Sequence, residues 1–213
     1  MSRGLSQNTN LIVIHDGPDT PQFNMEKDID LFQNVETHND TAYLRFYSWN
    51  FICATYGSNQ KIADIKKIIH AMKDIPPDIA LVRRPTGGGI VIHYPQLITY
   101  SLVISDSALK QSMTLLDSYY QLSELINNCL LSMGIQSSLN KTSMSDYKEK
   151  RINPVCVDYP AKYEIMKDNQ KIVGCAQKKG RNCLLQQTQF FIEIDNDVFK
   201  NKFEDAISNY LNR

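Results

Sequence analysis

Apolar and polar positions recur with two different periods along the chain, and these periods predict its elements. Alternating or short continuous apolar runs predict strands, whereas apolar residues three or four positions apart predict helices. The predicted strands cover residues 11–16, 42–49, 51–57, 79–84, 90–93, 98–105 and 184–194, with two further strands inside 163–177. The predicted helices cover residues 23–35, 61–74, 113–133 and 198–211. Hairpins are interspersed with helices, and strands and helices do not alternate strictly. This order indicates an α+β fold with a mixed, largely antiparallel sheet.

The helical segments carry apolar stripes that predict which side of each helix packs inward. The longest stripe lies in 113–133 and ends before Gly134, a typical helix stop. Its position predicts that Cys129 is a packing residue. The stripe residues are Met25, Ile29 and Phe32 in the first helix, Ile62, Ile65, Ile69 and Met72 in the second, and Leu115, Tyr119, Leu122, Ile126, Cys129 and Leu130 in the third.

Residues 140–162 break this periodicity. The segment is polar, lacks an apolar period and contains two prolines, which predicts a long loop. A loop of that length in a compact domain is usually functional or disordered. After it, Asp168-Asn169 sits between two β-like runs and predicts a tight hairpin turn.

Length, composition and charge restrict the class of protein. A chain of 213 residues with 42% hydrophobic content supports one core, so we expect a single domain over 1–213. Lys plus Arg equals Asp plus Glu at 23 each, so no overall field attracts nucleic acid or an anionic membrane. No apolar run approaches the length of a signal-peptide core or a membrane span, which predicts a cytoplasmic protein.

The cysteines indicate a reducing compartment. Five cysteines are scattered without a CxxC pair, so we expect free thiols, no structural zinc site and no metal. Cys156 lies in the irregular segment, where a cation nearby could convert an accessible thiol into a thiolate nucleophile.

The stretch RRPTGGGIVIH, residues 83–93, places three consecutive glycines between two predicted strands. Glycines are tolerated there if φ must be positive or if another group approaches the backbone closely. Backbone amides of such a turn can converge on an oxygen atom, and Arg83 or Arg84 can add a charge-assisted hydrogen bond. A plain hairpin turn is an equally good interpretation. The stretch is neither a Walker A loop, since no Lys-Ser/Thr follows, nor a dinucleotide motif, since a strand comes next.

Two further side chains near these motifs are candidates for a site. Strand alternation places Lys171 on the face of Val173 and Cys175, where an inward lysine could stabilise a developing anion. The alternative is an exposed lysine at a strand end. His93 ends the strand after the glycines, where a structural hydrogen-bonding role competes with a catalytic one.

Taken in order, four segments resemble the superfamily of lipoate-protein ligases, octanoyltransferases and biotin-protein ligases. They are FNMEKDIDLF, LRFYSWN with ATYGSNQ, RRPTGGGIVIH with LITYSLVIS, and QKI followed by GCAQKK, within residues 10–195. The resemblance implies a mixed sheet flanked by helices and a single catalytic domain without an accessory C-terminal domain. It also implies a site in which the glycine turn and Lys171 hold an octanoyl or lipoyl carbonyl and, in ligases, the adenylate phosphate. The acyl- or adenylate-binding residues that it implies are Arg83, Arg84, Thr86, Gly87, Gly88, Gly89, His93, Gly174 and Ala176.

Within the superfamily the cysteine-dependent octanoyltransferases are the most similar, because the run NPVCVDYPAKYEIMKDNQKIVGCAQ aligns their motif cysteine with Cys156 and their motif lysine with Lys171. That resemblance implies catalysis by these two residues without a cofactor. The acyl group would pass from acyl carrier protein to a lysine of a lipoyl domain in a 2-oxoacid dehydrogenase complex or the glycine cleavage H protein.

Some positions depart from the octanoyltransferase pattern and keep two alternatives open. Gly89 stands where the transferases have arginine, and a triple glycine is common in lipoate ligases, which use ATP, Mg²⁺ and free lipoate or octanoate. Gln187-Thr188 replaces the usual His-Gly, which leaves open a non-catalytic relative that binds acyl groups or lipoyl domains.

Overall fold

The computed structural model describes residues 9–38, 40–109, 114–141 and 161–212. Its strands are β1 (Asn10–Asp19), β2 (Thr41–Trp49), β3 (Cys53–Tyr56), β4 (Ala80–Arg83), β5 (Val91–His93), β6 (Thr99–Ser105), β7 (Ser138–Leu139), β8 (Ile165–Lys167), β9 (Gln170–Lys179) and β10 (Cys183–Phe190). Its helices are α1 (Pro21–Thr37), α2 (Ile62–Ala71), α3 (Leu115–Ser132) and α4 (Asn196–Leu211).

Within the described residues, seven strands form one large sheet in the order β1-β2-β6-β10-β9-β8-β7. Only its β1–β2 pair is parallel, and α1 makes the connection between those two strands. The other five neighbouring pairs are antiparallel. The predicted α+β class with a largely antiparallel sheet is therefore confirmed.

A second sheet of three strands has the order β4-β3-β5 and carries α2 on one face. The β3–β4 pair is parallel and the β3–β5 pair antiparallel. The glycine turn connects β4 to β5, so it lies at the end of this small sheet. The apolar pattern predicted these strands but not their separation into two sheets, because the pairing of strands depends on contacts between distant parts of the chain.

The main core lies where the large sheet packs against α3 and α4. As the sequence predicts, Cys129 is buried in this core, and α3 ends before Gly134, which has a φ of +81°. The hairpin at Asp168-Asn169 is also confirmed, since both residues have the positive φ values, 50° and 61°, that a type I′ turn requires.

The structure departs from the predicted apolar stripes at five positions. Ile29 is only half-buried, and Asp28 occupies the buried face of α1 in its place. Met72 and Tyr119 are half-buried as well. Ile62 and Leu115, each the first residue of its helix, are exposed. The last predicted strand is shorter than expected: it ends at Phe190, and Asp195 then caps α4.

The predicted loop 140–162 lies almost wholly outside the described residues. In the ranges that the structure does describe, no helix is long and apolar enough to cross a membrane.

Candidate active site

A pocket of about 410 Å³, counting its open mouth, lies between the two sheets. The small sheet contributes residues of β3 and β5, the large sheet contributes β2, β6, β9 and β10, and α1 contributes one methionine. The lining residues are Met25, Tyr47, Trp49, Thr55, Arg84, Val91, His93, Thr99, Gly174, Cys175, Ala176, Gln187, Thr188 and Gln189.

Arg84 holds the glycine turn from the inside. Its Nη2 donates to the carbonyl oxygens of Gly87 at 2.6 Å and Gly89 at 2.7 Å, and its Nη1 donates to the Thr55 carbonyl at 3.3 Å. Because a trans peptide points its N–H opposite to its C=O, the Gly88 amide points away from the guanidinium. Arg84 therefore neutralises the carbonyls of Gly87 and Gly89, and the Gly88 N–H lies on the opposite side of its peptide.

Two conditions favour glycine in a turn, a positive φ and a close approach of another group to the backbone, and both apply at Gly88. Gly88 has a φ of +96°, and a Cβ there would lie 2.8 Å from Nη2 of Arg84. A Cβ on the neighbouring Gly57 would lie 2.1 Å from the carbonyl oxygen of Gly88, so these two backbones touch. By contrast, a Cβ on Gly87 would meet nothing within 4 Å. Within the turn, the structure therefore requires glycine at Gly88 and imposes no such requirement at Gly87.

Lys171 points inward and forms a buried ion pair. Its Nζ lies 2.6 Å from Oε1 of Glu164, and both side chains are almost completely buried. Burial raises the pKa of Glu164 above its ordinary value, and the Lys171 ammonium opposes that rise. A Cβ on Gly174 would lie 3.0 Å from Cε of Lys171. The lysine thus lies on the side to which a side chain at position 174 would point, and Gly174 lines the pocket.

His93 is a neutral member of the pocket wall. Its Nδ1 lies 2.6 Å from Oε1 of Gln189, which can only accept, so Nδ1 carries the proton and Nε2 accepts from Thr55 Oγ1 at 2.9 Å. Burial, together with the charge of Arg84, lowers the pKa of His93 to about 3. The ring also stacks on Trp49, with centroids 4.1 Å apart. This environment favours the structural interpretation of His93 over an acid–base one.

A second buried polar network lies on the α1 side of the pocket. Asp28 accepts hydrogen bonds from Arg45 at 2.8 Å, Ser101 at 2.7 Å and Gln187 at 2.7 Å. Gln187 in turn accepts a hydrogen bond from Thr86 at 2.8 Å. The network therefore reaches from the interior of α1 to the residue that precedes the glycines.

The described cysteines differ in their surroundings. Burial raises the pKa of Cys53 and Cys183 to about 12 and that of Cys129 to about 11. Cys175 is half-buried, lines the pocket and accepts a hydrogen bond from Thr188 Oγ1 at 3.5 Å. Cys156 lies outside the described residues.

The structure brings most of the sequence-predicted binding residues to one region, in different roles. Arg84, His93, Gly174 and Ala176 line the pocket, and Thr86 with the three glycines forms the adjacent turn. Arg83 is exposed and lies over the Tyr56 ring at 5.5 Å, away from the pocket.

Sequence reasoning missed several polar residues of the site. Glu164 and Gln189 gave no periodic signal, since only the fold brings them to Lys171 and His93. Asp28 did give one: it lies three residues after Met25 and four before Phe32, on the buried stripe of α1. Among the described residues, no group of three His, Cys, Asp or Glu side chains could hold a metal ion.

A family model, the lipoyl protein ligase A/B catalytic domain, matches residues 20–210, and the chain belongs to this family. An octanoyltransferase LipM of Bacillus subtilis is 30% identical over 187 residues, which cover 86% of this chain and 66% of that relative. The chain thus spans about two thirds of the length of the curated relatives it matches.

Solved structures share the fold at low sequence identity. A lipoate-protein ligase A bound with ATP has a TM-score of 0.69 at 18% identity, covering 96% of this chain and 86% of that one. A bipartite lipoate protein ligase from Thermoplasma acidophilum, described with its E2 lipoyl domain, has a TM-score of 0.65 at 16% identity, covering 96% and 84%. The resemblance identified in the sequence and the predicted fold class are both confirmed.

Proposed function

We propose that this protein transfers an octanoyl group from octanoyl-acyl carrier protein to a lysine of a lipoyl domain, through a thioester on Cys156. The observation that carries the proposal is the buried Lys171, which packs against Gly174 at the wall of a pocket that also adjoins the glycine turn. A cation and backbone N–H groups beside one cavity suit a carbonyl oxygen that becomes negative during acyl transfer. The octanoyltransferase LipM relatives support this chemistry.

The reaction would proceed in two balanced steps. In the first, the Cys156 thiolate attacks the thioester carbonyl, a new C–S bond forms, the C–S bond to the carrier breaks, and the carrier leaves as a thiolate that takes a proton from solvent. In the second, the uncharged ε-amine of the target lysine attacks the acyl-cysteine, an amide C–N bond forms, the C–S bond to Cys156 breaks, the amine proton passes to solvent, and the Cys156 thiolate is regenerated. Lys171 and the glycine turn would stabilise the oxyanion in both steps, and neither step consumes ATP.

ATP-dependent lipoate ligation remains the second candidate, and a specific feature favours it. Gly89 completes the triple glycine that resembles the ligases, and the lipoate-protein ligase A that shares this fold binds ATP. In that reaction the free acid would be activated as an adenylate held at the same turn, with ATP and Mg²⁺ as requirements and Cys156 dispensable.

Locating the acyl group on a particular cysteine tests the proposal, because two thiols compete. Cys175 lines the pocket, whereas Cys156 is the residue that resembles the motif cysteine. Wild type is incubated with octanoyl-acyl carrier protein alone, and tryptic peptides 152–162 (INPVCVDYPAK) and 172–178 (IVGCAQK) are compared by mass spectrometry. We expect the octanoyl group on the first peptide, removable by hydroxylamine and by the lipoyl-domain amine.

Cys175→Ser is the matched control for Cys156→Ser. We expect Cys156→Ser to lose both the adduct and the amide product, and Cys175→Ser to keep both. An adduct that stays on Cys175 would contradict the assignment of Cys156. If Cys156→Ser is fully active with ATP and lipoate, the protein is a lipoate ligase and the transferase proposal is wrong. Lipoyl-domain binding without product from either donor would indicate a non-catalytic relative.

A further inference from the structure

Gln187 occupies a position on β10 between α1 and the glycine turn. Its side chain is 7% exposed, its carboxamide oxygen accepts from Thr86 Oγ1 at 2.8 Å, and its nitrogen donates to Asp28 Oδ2 at 2.7 Å. One side chain therefore joins the residue before Gly87 to a buried carboxylate of α1.

The chemistry of its partners sets the direction of this carboxamide. Asp28 also accepts hydrogen bonds from Arg45 and Ser101, so it is an anchored carboxylate that needs donors. The nitrogen of Gln187 must therefore face Asp28, which leaves the oxygen for the Thr86 hydroxyl. The chain of hydrogen bonds runs in one direction, from Thr86 through Gln187 to Asp28.

The hydrogen bonds from Thr86 through Gln187 to Asp28 hold the turn to a different sheet from the one to which Arg84 holds it. Arg84 holds the carbonyls of Gly87 and Gly89 to Thr55 of β3, so it ties the turn to the small sheet. The Thr86 contact ties the same turn to β10 of the large sheet. The neighbouring strand β9 carries Gly174 and Lys171. The distance between turn and lysine thus depends on a contact that crosses from one sheet to the other.

We infer that Gln187 is a positioning residue that sets the glycine turn in register with Lys171, so that both reach the same acyl carbonyl. This inference deepens the proposed function and rests on it. Gln187 acts through Thr86 and the turn, and takes no part in proton or acyl transfer. Displacement of catalytic groups by about 1 Å can cost on the order of a hundredfold in rate, so the effect falls on the chemical step.

Gln186 provides a matched control on the same strand. It is also fully buried, but it accepts from Gln177 Nε2 at 2.8 Å and donates to Thr188 Oγ1 at 3.3 Å, and neither contact involves Thr86 or Asp28. We expect Gln187→Leu to lower kcat for octanoyl transfer by roughly tenfold to a hundredfold while KM stays within about threefold. Gln186→Leu should leave kcat within about threefold of wild type, since its loss does not reach the turn.

Two conservative variants separate positioning from simple packing. Neutral histidine has one donor and one acceptor nitrogen, so Gln187→His should restore most of the rate that Gln187→Leu loses. Gln187→Glu places a second carboxylate against Asp28, which raises the pKa of the new side chain. Its protonated form can still donate to Asp28, so kcat of this variant should fall with rising pH relative to wild type.

Hydrogen exchange of the peptide that spans 84–89 provides a readout independent of activity. After correction for intrinsic rates, we expect faster exchange there in Gln187→Leu and unchanged exchange in Gln186→Leu. Equal exchange in the two variants would overturn the inference, whether or not wild type transfers an acyl group.

Altered exchange in Gln187→Leu with an inactive wild type would instead remove the proposed function and leave Gln187 as the residue that holds the turn. Equal kcat for an active wild type and Gln187→Leu would also overturn the inference.

Discussion

At the scale of single residues, burial gives Lys171 surroundings that an exposed lysine lacks. An exposed strand-end lysine is heavily hydrated and interacts weakly with nearby charge. Lys171 is instead buried with Glu164 and packs against Gly174, so its charge is poorly screened by solvent. The position suits stabilisation of an oxyanion in the pocket.

Replacement of this lysine tests that role. We expect Lys171→Ala to lower octanoyl transfer by roughly two to three powers of ten, the usual cost of removing one oxyanion-stabilising group. Lys178→Ala is the control, because that side chain is exposed further along β9. Steady-state kcat/KM of both variants is the measurement.

The single variant leaves Glu164 buried beside an empty space, so folding must be controlled separately. The double variant Lys171→Ala with Glu164→Gln removes the unpaired carboxylate and should recover stability, measured by urea unfolding, without recovering rate. Near-normal transfer by either variant would place Lys171 outside the chemistry.

At the scale of elements, the contact between α1 and β2 depends on buried charge. Arg45 lies fully buried in the middle of β2 and donates to Asp16 at 2.6 Å and to Asp28 at 2.8 Å. These carboxylates raise the pKa of Arg45 against the opposing effect of burial. Its guanidinium also lies over the Tyr47 ring, 4.2 Å from the centroid. Helix α1 is therefore held to the sheet by ionic contacts as well as by apolar packing.

Loss of the arginine should destabilise the whole fold. We expect Arg45→Met to lower the free energy of unfolding by about 3–5 kcal/mol, because it leaves Asp28 buried without its cation. Lys200→Met is the control: it removes an ion pair with Asp197 that spans 3.7 Å and involves a carboxylate 91% exposed. Such a surface pair is worth about 0–1 kcal/mol. The free energy of unfolding of both variants is measured by urea unfolding. Equal decreases in the two variants would show that Arg45 stabilises the fold no more than a surface charge does.

At the scale of the whole molecule, the pocket exists because two sheets meet. Hydrogen bonds from His93 of β5 to Gln189 of β10 and from Thr86 to Gln187 cross the junction. Trp49, the single tryptophan, stacks on His93 at the same place. The stability of the junction and the shape of the site are therefore linked.

This link predicts a pH dependence of global stability. Burial lowers the pKa of His93 from 6.5 to about 3 in the folded protein. Between these values the unfolded chain takes up a proton and the folded protein does not, so stability falls as pH drops below about 6.5. At about pH 5, protonation of His93 in the unfolded chain lowers the free energy of unfolding by roughly 2 kcal/mol.

His93→Gln should therefore lose less stability than wild type between about pH 7.5 and pH 5, although it is less stable at the higher pH. His70→Gln is the control, since that side chain is exposed on α2. Urea unfolding at both pH values gives the measurement. A wild-type pH dependence that His93→Gln leaves unchanged would mean that His93 is protonated in the folded state.

The sequence by itself determined most of the elements and the family. Periodicity predicted the helices, the strands and the Asp168-Asn169 hairpin, because side-chain spacing is a local property. Ordered motifs identified the family and the glycine turn. Burial of Lys171 was predicted too, but its face was not, because the β8–β9 register shifts between Ile165–Val173 and Met166–Lys171 and the side chain lies against Gly174.

Only the tertiary structure decided how those elements pair and what surrounds each polar group. It separated the strands into two sheets and put Asp28 where the apolar pattern favoured Ile29. It also turned Arg84 toward the glycine carbonyls and gave Lys171 its partner Glu164. Gln187 appeared in the sequence as a departure from a pattern, and the fold makes it the connection from Thr86 to Asp28. These contacts join residues up to 159 positions apart along the chain. Local spacing cannot specify them, because burial, desolvation and hydrogen-bond geometry arise only when distant segments pack together.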